Sequence, residues 1–445
     1  MNDRLTTREA AELLGVKPST VYAYVSRGQL SSRRDPVGRG STFDAAEVAA
    51  LARRNRREAA APSGELSVRT ALTLIEPDRY WFRGVDAVEL AGRYAYEEVA
   101  EWLWTGRLPH GARFTAPPEL LAAARRAVAA LPEHSGPVDR LRVAAAAAAV
   151  ADPLRYDLSE EAVLGSARSL IPTLVGALPP VHGPGTGGRP EGDGGSVDGP
   201  ATGDGPDTGG GDTGGGPDTG GGDTGGGAGP LAGQLWPRLT ARPADPAAVA
   251  VLDLALGLLV DHDLAASTLA VRVAASARAH PYAAVSAGLG ALEGPLHGAA
   301  GRLAHRMLQE VLEQGGAAPV VADHLRAGRR VPGLGHRLYA GEDPRATALF
   351  ARLAELEAAA PALAAARDVV AVTARQGRGL HANVDLALAV LTVSCGMPAE
   401  AGETVFAVAR TAGWIAHALE EYGERPLRMR PSGQYTGPRP PQPMP

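Results

Sequence analysis

The sequence has 445 residues and a formal net charge of −5, enough length for two or three domains with a large core. This charge is too small to indicate nucleic-acid or membrane binding by the chain as a whole. Lys17 is the only lysine among 44 basic residues, a preference that is typical of a GC-rich genome before it indicates a function. Cys395 is the only cysteine, which excludes an intrachain disulfide and a metal site built on thiolates, and favours a reducing compartment.

The first 58 residues are the only part of the chain with a basic bias, because they carry 11 basic and 7 acidic side chains. Thr6 and Glu9 have the spacing of a capping box, apolar residues at helical spacing follow, and Gly15 predicts the end of the helix. A short turn and a second helix, "KPSTVYAYVSRG" (17–28), come next. This order predicts a helix-turn-helix domain over residues 1–58, in which the second helix faces DNA.

The segment after the second helix, "QLSSRRDPVGRGSTF" (29–43), alternates in polarity and contains turn residues, which predicts a small β-hairpin wing. Together with the two helices it resembles the winged helix-turn-helix of MerR-like and excisionase-like proteins. The candidate DNA-binding residues are Ser19, Thr20, Tyr22, Tyr24, Arg33, Arg34 and Arg39. A small helical protein-interaction module is the alternative. Useful DNA affinity would need a dimer.

Two segments are expected to lie outside the folded domains. Residues 59–63 are small and include a proline, which predicts a linker. Residues 183–229 are about half glycine with almost no apolar side chains, so this insertion cannot bury enough surface to offset its ordering entropy and is predicted to be disordered. A calcium-binding glycine repeat is disfavoured, because each of its units needs an apolar residue.

No targeting or membrane-spanning segment is predicted. The long apolar stretch "AVAVLDLALGLLV" (248–260) is interrupted by Asp253, and the N-terminal residues have no apolar run of the kind that a secretion signal contains. We therefore expect a soluble cytoplasmic protein without a membrane partner.

Residues 64–445 are predicted to form a large all-α domain, because apolar positions recur at intervals of three and four and the breaks fall at glycine and proline. Four stretches in its second half concentrate histidine, arginine and aspartate beside glycine or proline. They are "DHDLAAST" (261–268), "EGPLHGAA" (293–300), "VPGLGHRLYAGEDPRA" (331–346) and "HANVDLALAV" (381–390). Taken singly, such a stretch is more often a turn or a helix cap than a catalytic site.

In this order the four stretches resemble the citrate synthase family, and the resemblance covers about residues 64–445. The segment "ALTLIEPDRYWFRGVDAVELAGRYAYEEVAEWLWTGRLP" (71–109) resembles the family's opening, and "VARTAGWIAHALEEYGERPLRMRPSGQYTG" (408–437) resembles its penultimate helix and C-terminal tail. Several motifs in register make the resemblance specific. It implies an all-α fold with a large helical domain and a small one, about residues 308–400, that closes over the ligands.

The resemblance implies a homodimeric transferase that condenses acetyl-CoA with oxaloacetate, a reaction of the tricarboxylic acid cycle, without a metal or other cofactor. Removing a proton from the acyl methyl group requires a base and, at the same moment, a donor that stabilises the enolate oxygen. Asp385 matches the family's base, His297 the donor to the thioester oxygen, and His336 the donor to the keto oxygen. Planar guanidinium groups suit the two carboxylates of oxaloacetate. The matching substrate-binding residues are His262, Arg345, Arg410 and Arg430, of which the last is expected to reach the active site of the second subunit.

Three positions near these residues depart from the family's pattern. Ala265 stands where asparagine is frequent, Gly301 stands where the usual Gly-Gly-Ala-Asn ends in asparagine, and Leu386 stands where an aromatic residue commonly follows the catalytic aspartate. The sequence does not determine which acyl-CoA is the substrate. Acetyl-CoA and propionyl-CoA differ by one methylene, which changes the free energy of discrimination by only about 1–3 kcal/mol. The product is then citrate or 2-methylcitrate. A second class of function also stays open, a DNA-binding transcriptional regulator whose synthase-like body senses a metabolite. The proposed base favours the enzyme, since a sensor needs none.

Overall fold

The computed structural model describes most of the chain, which divides into two compact units, Met1–Arg69 and Thr70–Pro445. The linker predicted at 59–63 lies outside the described residues, and so does all but the last residue of the insertion predicted at 183–229. The described residues are 4–14, 16–26, 30–34, 40–49, 51, 68–181, 229–294, 297–375, 379–431 and 436–437.

The N-terminal unit combines two consecutive helices with a three-stranded antiparallel sheet. Its elements are β1 (Arg4–Thr6), α1 (Thr7–Leu14), α2 (Pro18–Ser26), β2 (Ser32–Arg34), β3 (Ser41–Asp44) and α3 (residues 45–49). Strands β2 and β3 form the predicted hairpin, and β1, which the sequence did not predict, adds to the other edge of β3. Thr6 and Glu9 form the predicted capping box: the Glu9 carboxylate accepts the Thr6 backbone N–H at 2.7 Å, and Thr6 Oγ1 accepts the Glu9 N–H at 3.4 Å. Val21 and Phe43 are buried in the small apolar core between helices and sheet.

The larger unit is almost entirely helical, in agreement with the predicted all-α fold. Near its start lies a small antiparallel sheet of β4 (Thr73–Ile75), β5 (Tyr80–Phe82) and β6 (Val85–Asp86). Its helices are α4 (Ala87–Arg93), α5 (Tyr96–Thr105), α6 (Pro118–Ala129), α7 (Pro137–Ala151), α8 (Glu160–Ala177), α9 (Leu231–Leu235), α10 (Pro246–Leu259), α11 (Ala266–Ser276), α12 (Pro281–Leu292), α13 (Ala299–Gln314), α14 (Ala317–Arg326), α15 (Pro344–Leu353), α16 (Ala360–Arg375), α17 (Val384–Ser394) and α18 (Ala401–Gly423), with 3-10 turns at Trp236–Arg238 and Glu357–Ala359.

Helix α18 is the central helix of the larger unit, because it contacts α5, α8, α10, α11 and α12 and is buried around its whole circumference. Its Gly413 crosses the end of α10 so closely that a Cβ there would clash with the carbonyl oxygen of Val260. His417, one turn further along α18, has its Nε2 3.2 Å from Asp261 Oδ1. This crossing therefore fixes the segment that follows α10, which includes His262, against the central helix.

Two helices that carry candidate site residues begin at polar caps. Asp343 caps α15, where its carboxylate accepts the backbone N–H of Arg345 at 3.1 Å. Asn383 caps α17, where its Oδ1 accepts the N–H of Asp385 at 3.0 Å. Arg345 and Asp385 therefore both lie in the first turn of a helix, where free backbone N–H groups and the helix dipole favour nearby negative charge.

The apolar stretch at 248–260 forms most of α10. Asp253 within it is half-buried, and its carboxylate accepts the backbone N–H of Tyr96 at 3.3 Å. Among the described residues, no helix combines the length and the apolar character that crossing a bilayer requires.

Candidate active site

The loop that carries His336 is fixed to the segment that leads into Asp385. The backbone N–H of Asn383 donates to the Gly333 carbonyl oxygen at 3.0 Å, and Asn383 Nδ2 donates to the Gly335 carbonyl oxygen at 2.9 Å. Gly333 and Gly335 both have a φ of +77°, a backbone conformation that glycine adopts without strain. These bonds hold the candidate ketone donor and the candidate base in one rigid arrangement.

The backbone contact of His336 assigns its neutral ring as a hydrogen-bond donor through Nε2. Its Nδ1 accepts the backbone N–H of Leu338 at 3.1 Å, so the neutral ring carries its proton on Nε2. Burial, and then the positive charge of Arg345, lower the pKa of His336 to about 4. Nε2 lies 3.2 Å from Arg345 Nη2, so two donors converge where an acceptor oxygen can bond to both. A ketone beside a carboxylate satisfies this arrangement.

Arg345 is buried and holds a carboxylate of its own chain. Its Nε donates to Asp343 Oδ1 at 2.9 Å and its Nη2 to Oδ2 at 2.8 Å. Asp343 Oδ2 also accepts the backbone N–H of Val384 at 3.1 Å. Although burial opposes its ionisation, Arg345 holds the pKa of Asp343 below the usual value. The pair fixes the guanidinium in position, and Nη1 makes no hydrogen bond to a described residue.

His262 is buried beside His336, with the two ring centroids 5.2 Å apart and the rings nearly perpendicular. Its Nε2 lies 2.8 Å from the hydroxyl oxygen of Tyr339, whose ring centroid is also 5.0 Å from that of His336. Burial, and then the charges of Arg345 and Arg410, lower the pKa of His262 well below its usual value. Sequence reasoning missed Tyr339, although its position three residues after His336 was a signal. Tyr339 orients both histidines.

Arg410 is the second buried guanidinium of the site. Its Nε donates to the Leu259 carbonyl oxygen at 2.9 Å, and its central carbon lies 4.6 Å from the centroid of the Phe406 ring. Among the described residues this is its one hydrogen bond, so both terminal amino groups are without a protein acceptor. Burial lowers the pKa of Arg410 to about 10, an effect that Asp261 opposes and Arg345 reinforces. A guanidinium in this position is suited to bind a carboxylate.

His297 lies edge-on against the ring of Phe406, with the centroids 5.8 Å apart. Its Nε2 is 2.8 Å from Ser267 Oγ. When this hydroxyl donates to Nε2, the neutral ring carries its proton on Nδ1, for which no described residue provides an acceptor. Burial, and then Arg410, lower the pKa of His297 to about 4, so this histidine is also a neutral donor.

Asp385 provides a carboxylate that makes no hydrogen bond to the side chain or backbone of another described residue. Gly301 on α13 is its neighbour, because a Cβ built on this glycine would lie 3.7 Å from Asp385 Oδ1. Burial raises the pKa of Asp385 to about 6, although Arg345 opposes the shift. A carboxylate with no partner and a pKa moved towards neutrality is suited to general-base catalysis.

Six of the seven predicted catalytic and substrate-binding residues thus lie around one site. The seventh, Arg430, is exposed, and its side chain makes no hydrogen bond or ion pair within the part of the chain that the structure describes. The six are His262, His297, His336, Arg345, Asp385 and Arg410.

Residues 62–432 match the protein family described as citrate synthase, C-terminal domain. The chain belongs to the citrate synthase family. The matched range includes the whole site, from His262 to Arg410, and Arg430 as well. Residues 4–56 match a family of helix-turn-helix domains, in agreement with the predicted N-terminal resemblance.

Two curated relatives named as citrate synthases match about half of this chain. The citrate synthase of Haloferax volcanii is 40% identical over 189 residues, which cover 42% of this chain and 49% of that protein. The putative citrate synthase 2 of Mycobacterium tuberculosis is 38% identical over 203 residues, 45% of this chain and 54% of that protein. The chain therefore spans about half the length of the curated relatives it matches.

Solved structures show the citrate synthase fold. The Pyrobaculum aerophilum enzyme has a TM-score of 0.62 at 23% identity, over 93% of this chain and 97% of that chain. The Thermoplasma acidophilum enzyme, solved as a ternary complex with carboxymethyl coenzyme A and oxaloacetate, has a TM-score of 0.62 at 22% identity, over 88% and 98%.

The three departures from the citrate synthase pattern differ in their distance from the chemistry. Ala265 is the N-cap of α11 and makes no side-chain hydrogen bond there. Leu386 is fully buried beneath the loop of Gly333. A Cβ built on Gly333 would lie 2.8 Å from the Leu386 Cβ. Gly301 borders the carboxylate of Asp385. Gly301 is therefore the departure that adjoins the candidate base.

The helix-turn-helix unit presents part of its candidate DNA-binding set to solvent. The exposed candidates are Ser19, Tyr22 and Arg33. Thr20 is half-buried, and Tyr24 packs against the small apolar core because it lies one helical turn after the buried Val21. Tyr24 therefore contributes to the core of the unit, and its contact with DNA stays a prediction. The side chain of Arg34 and all of Arg39 lie outside the described residues.

Proposed function

We propose that this protein is a citrate synthase-type transferase, which condenses an acyl-CoA with oxaloacetate and releases CoA and a tricarboxylic acid. The observation that carries the proposal is that the loop of His336 is hydrogen-bonded to the segment that leads into Asp385, whose carboxylate has no hydrogen-bond partner among the described residues. His297 and Arg410 pack against one shared ring, that of Phe406. Arg345 and Arg410 add the positive charge that a dicarboxylate needs. This chemistry uses side chains alone and requires no metal or other cofactor.

The first step removes a proton from the carbon next to the thioester. Asp385 takes this proton, while the Nδ1–H of His297 donates to the thioester oxygen as negative charge moves onto it. One well-placed donor contributes on the order of 3–4 kcal/mol to such a step. Because His297 is neutral, it donates without adding a further positive charge beside Arg410.

The second step joins the enolate carbon to the keto carbon of oxaloacetate. The Nε2–H of His336 donates to the keto oxygen as this oxygen becomes an alkoxide. The terminal amino groups of Arg410 and Nη1 of Arg345 hold the carboxylates and so orient the carbonyl group. Water then hydrolyses the thioester, which releases CoA.

Domain closure and a second subunit complete the site in this proposal. His336, Arg345 and Asp385 belong to the small domain at about residues 308–400, and closure of this domain excludes water until the carbon–carbon bond has formed. Arg430, whose side chain is exposed in the single chain, binds a substrate carboxylate in the other site of a homodimer. A cytoplasmic location agrees with the lone, buried thiol of Cys395.

Release of free thiol from acetyl-CoA or propionyl-CoA in the presence of oxaloacetate tests the enzyme proposal. We expect turnover that depends on oxaloacetate and is lost in the Asp385→Asn variant. If neither ester is turned over while oxaloacetate still binds, the enzyme proposal is wrong, and a metabolite sensor for a transcriptional regulator becomes the better explanation.

DNA binding by the N-terminal unit is a second proposed activity. The match of residues 4–56 to helix-turn-helix domains and the exposure of Ser19, Tyr22 and Arg33 support it. A homodimer presents two such units, as recognition of two half-sites requires. Duplex DNA should bind the full chain with an affinity that falls as salt rises, and should not bind a chain lacking residues 1–58. Binding that is independent of salt, or that survives the deletion, would contradict this assignment.

A further inference from the structure

Gly301 leaves space beside the carboxylate of Asp385. A Cβ built on Gly301 would lie 3.7 Å from Asp385 Oδ1 and 3.9 Å from the carbonyl carbon of Gly402, both ordinary contact distances. Among the described residues outside its own helix, it would meet no third neighbour within 4 Å. The backbone of Gly301 is helical, in the third position of α13, so its conformation does not require glycine. Glycine also weakens a helix relative to alanine. Neither backbone geometry nor crowding therefore explains this glycine.

A second glycine borders the same space. Gly402 lies at the start of α18, and a Cβ built on it would meet no atom of another described segment within 4 Å. Phe406, one helical turn after Gly402, packs against His297, and the Leu386 side chain is in the core. On the side of Gly301, the space beside the Asp385 carboxylate is therefore bordered by backbone atoms.

In the proposed reaction, the acyl chain approaches the Asp385 carboxylate and so lies beside this space. The base removes a proton from C2 of the acyl group, so C2 must approach a carboxylate oxygen to roughly 3–3.5 Å. A methyl substituent on C2 is bonded at about 1.5 Å, so it lies within about 5 Å of the same oxygen. The Cβ position of Gly301, 3.7 Å from Asp385 Oδ1, is within that range. Acetyl-CoA has only hydrogens on C2, whereas propionyl-CoA has this methyl group.

We propose that Gly301 makes room for an alkyl substituent on C2, so that the protein uses propionyl-CoA and Gly301 determines the specificity for acyl length. The inference rests on the proposed condensing activity. Bond changes are those of that reaction: the C2–H bond breaks, the C2–C bond to the keto carbon forms, and the C2 methyl group stays intact. The product is then a 2-methyl-substituted tricarboxylic acid.

The test compares kcat/KM for propionyl-CoA and acetyl-CoA, measured by thiol release with saturating oxaloacetate. We expect propionyl-CoA to be a substrate of the unaltered chain. Gly301→Ala and Gly301→Ser should each lower the propionyl-to-acetyl ratio by about tenfold or more, the usual effect of one misplaced methyl group. Gly165→Ala is the matched control, because Gly165 is an exposed helical glycine of α8 with open space at its Cβ position, and the ratio should not change.

The outcomes separate this inference from the proposed activity. If acetyl-CoA is turned over but propionyl-CoA is not, or if the ratio is the same in the Gly301 variants, the specificity role is wrong and the condensing activity stands. If neither ester is turned over by the unaltered chain, both are wrong. Thermal unfolding identifies a folding defect, and we expect Gly301→Ala to unfold at the same temperature or higher, because alanine favours the helix.

Discussion

The two halves of the site differ in how the side chains of Arg345, His262 and Asp385 are partnered. On the keto-acid side, Arg345 holds Asp343 through two hydrogen bonds, and His262 bonds to Tyr339. On the acyl side, the Asp385 carboxylate has no hydrogen-bond partner among the described residues, and His297 has one, Ser267. Binding a dianion benefits from groups that are fixed in advance, whereas the base must exchange a proton and gains from being unpartnered.

Removing the base should produce the largest effect on activity, and it should affect the acyl half of the site alone. In Asp385→Asn we expect kcat to fall by about 10²–10⁴-fold, the usual contribution of a positioned base, while oxaloacetate affinity stays within about twofold. Thiol release measures kcat, and calorimetric titration measures the affinity. Asp323→Asn, at an exposed carboxylate of α14, is the control and should leave both unchanged. A loss of oxaloacetate binding in Asp385→Asn would show that the two halves are not separable.

Removing Asp343, the partner of Arg345, should destabilise the keto-acid half of the site. In Asp343→Asn a buried guanidinium loses its counter-charge, which we expect to lower the free energy of unfolding by about 3–5 kcal/mol. Urea unfolding measures this change. The exposed Asp323–Arg326 pair is the comparison, and breaking it with Asp323→Asn should cost no more than about 1 kcal/mol. Equal effects at the two pairs would argue against a rigid, charge-paired keto-acid half.

Acidity should separate the base from the two histidine donors, because their pKa values differ. Asp385 acts as the ionised base, and burial raises its pKa to about 6, so kcat should fall about tenfold per pH unit below pH 6. His297 and His336 have pKa values of about 4, so they stay neutral over the same range. Thiol release between pH 5 and 8 gives the profile, at roughly half-unit steps. If the residual activity of Asp385→Asn shows the same decrease in kcat at acidic pH, the titrating group is not Asp385.

The sequence predicted the helical body and most of the site because both depend on local patterns. Helical periodicity and the "GLGHR" and "NVD" motifs lie within short segments, and the segments around His336 and Asp385 did come together. Strand β1 was missed because three residues have no period of their own and are ordered by pairing with β3. The Asp343–Arg345 bonds and the role of Tyr339 depend on side-chain direction, which spacing does not determine. The role of Arg430 stays a prediction, because it requires a second chain.

The smallest expected effect tests whether Tyr339 belongs to the keto-acid half alone. Tyr339→Phe keeps the ring beside His336 and removes the hydroxyl that lies 2.8 Å from His262 Nε2. One neutral hydrogen bond contributes about 0.5–1.5 kcal/mol, so the KM for oxaloacetate should rise by roughly two- to tenfold while the KM for acyl-CoA is unchanged. Steady-state kinetics with each substrate varied in turn separates the two constants. Equal rises in both would mean that Tyr339 supports the whole site. An effect confined to oxaloacetate would show that the partnered half works by fixing His262 before the substrate arrives.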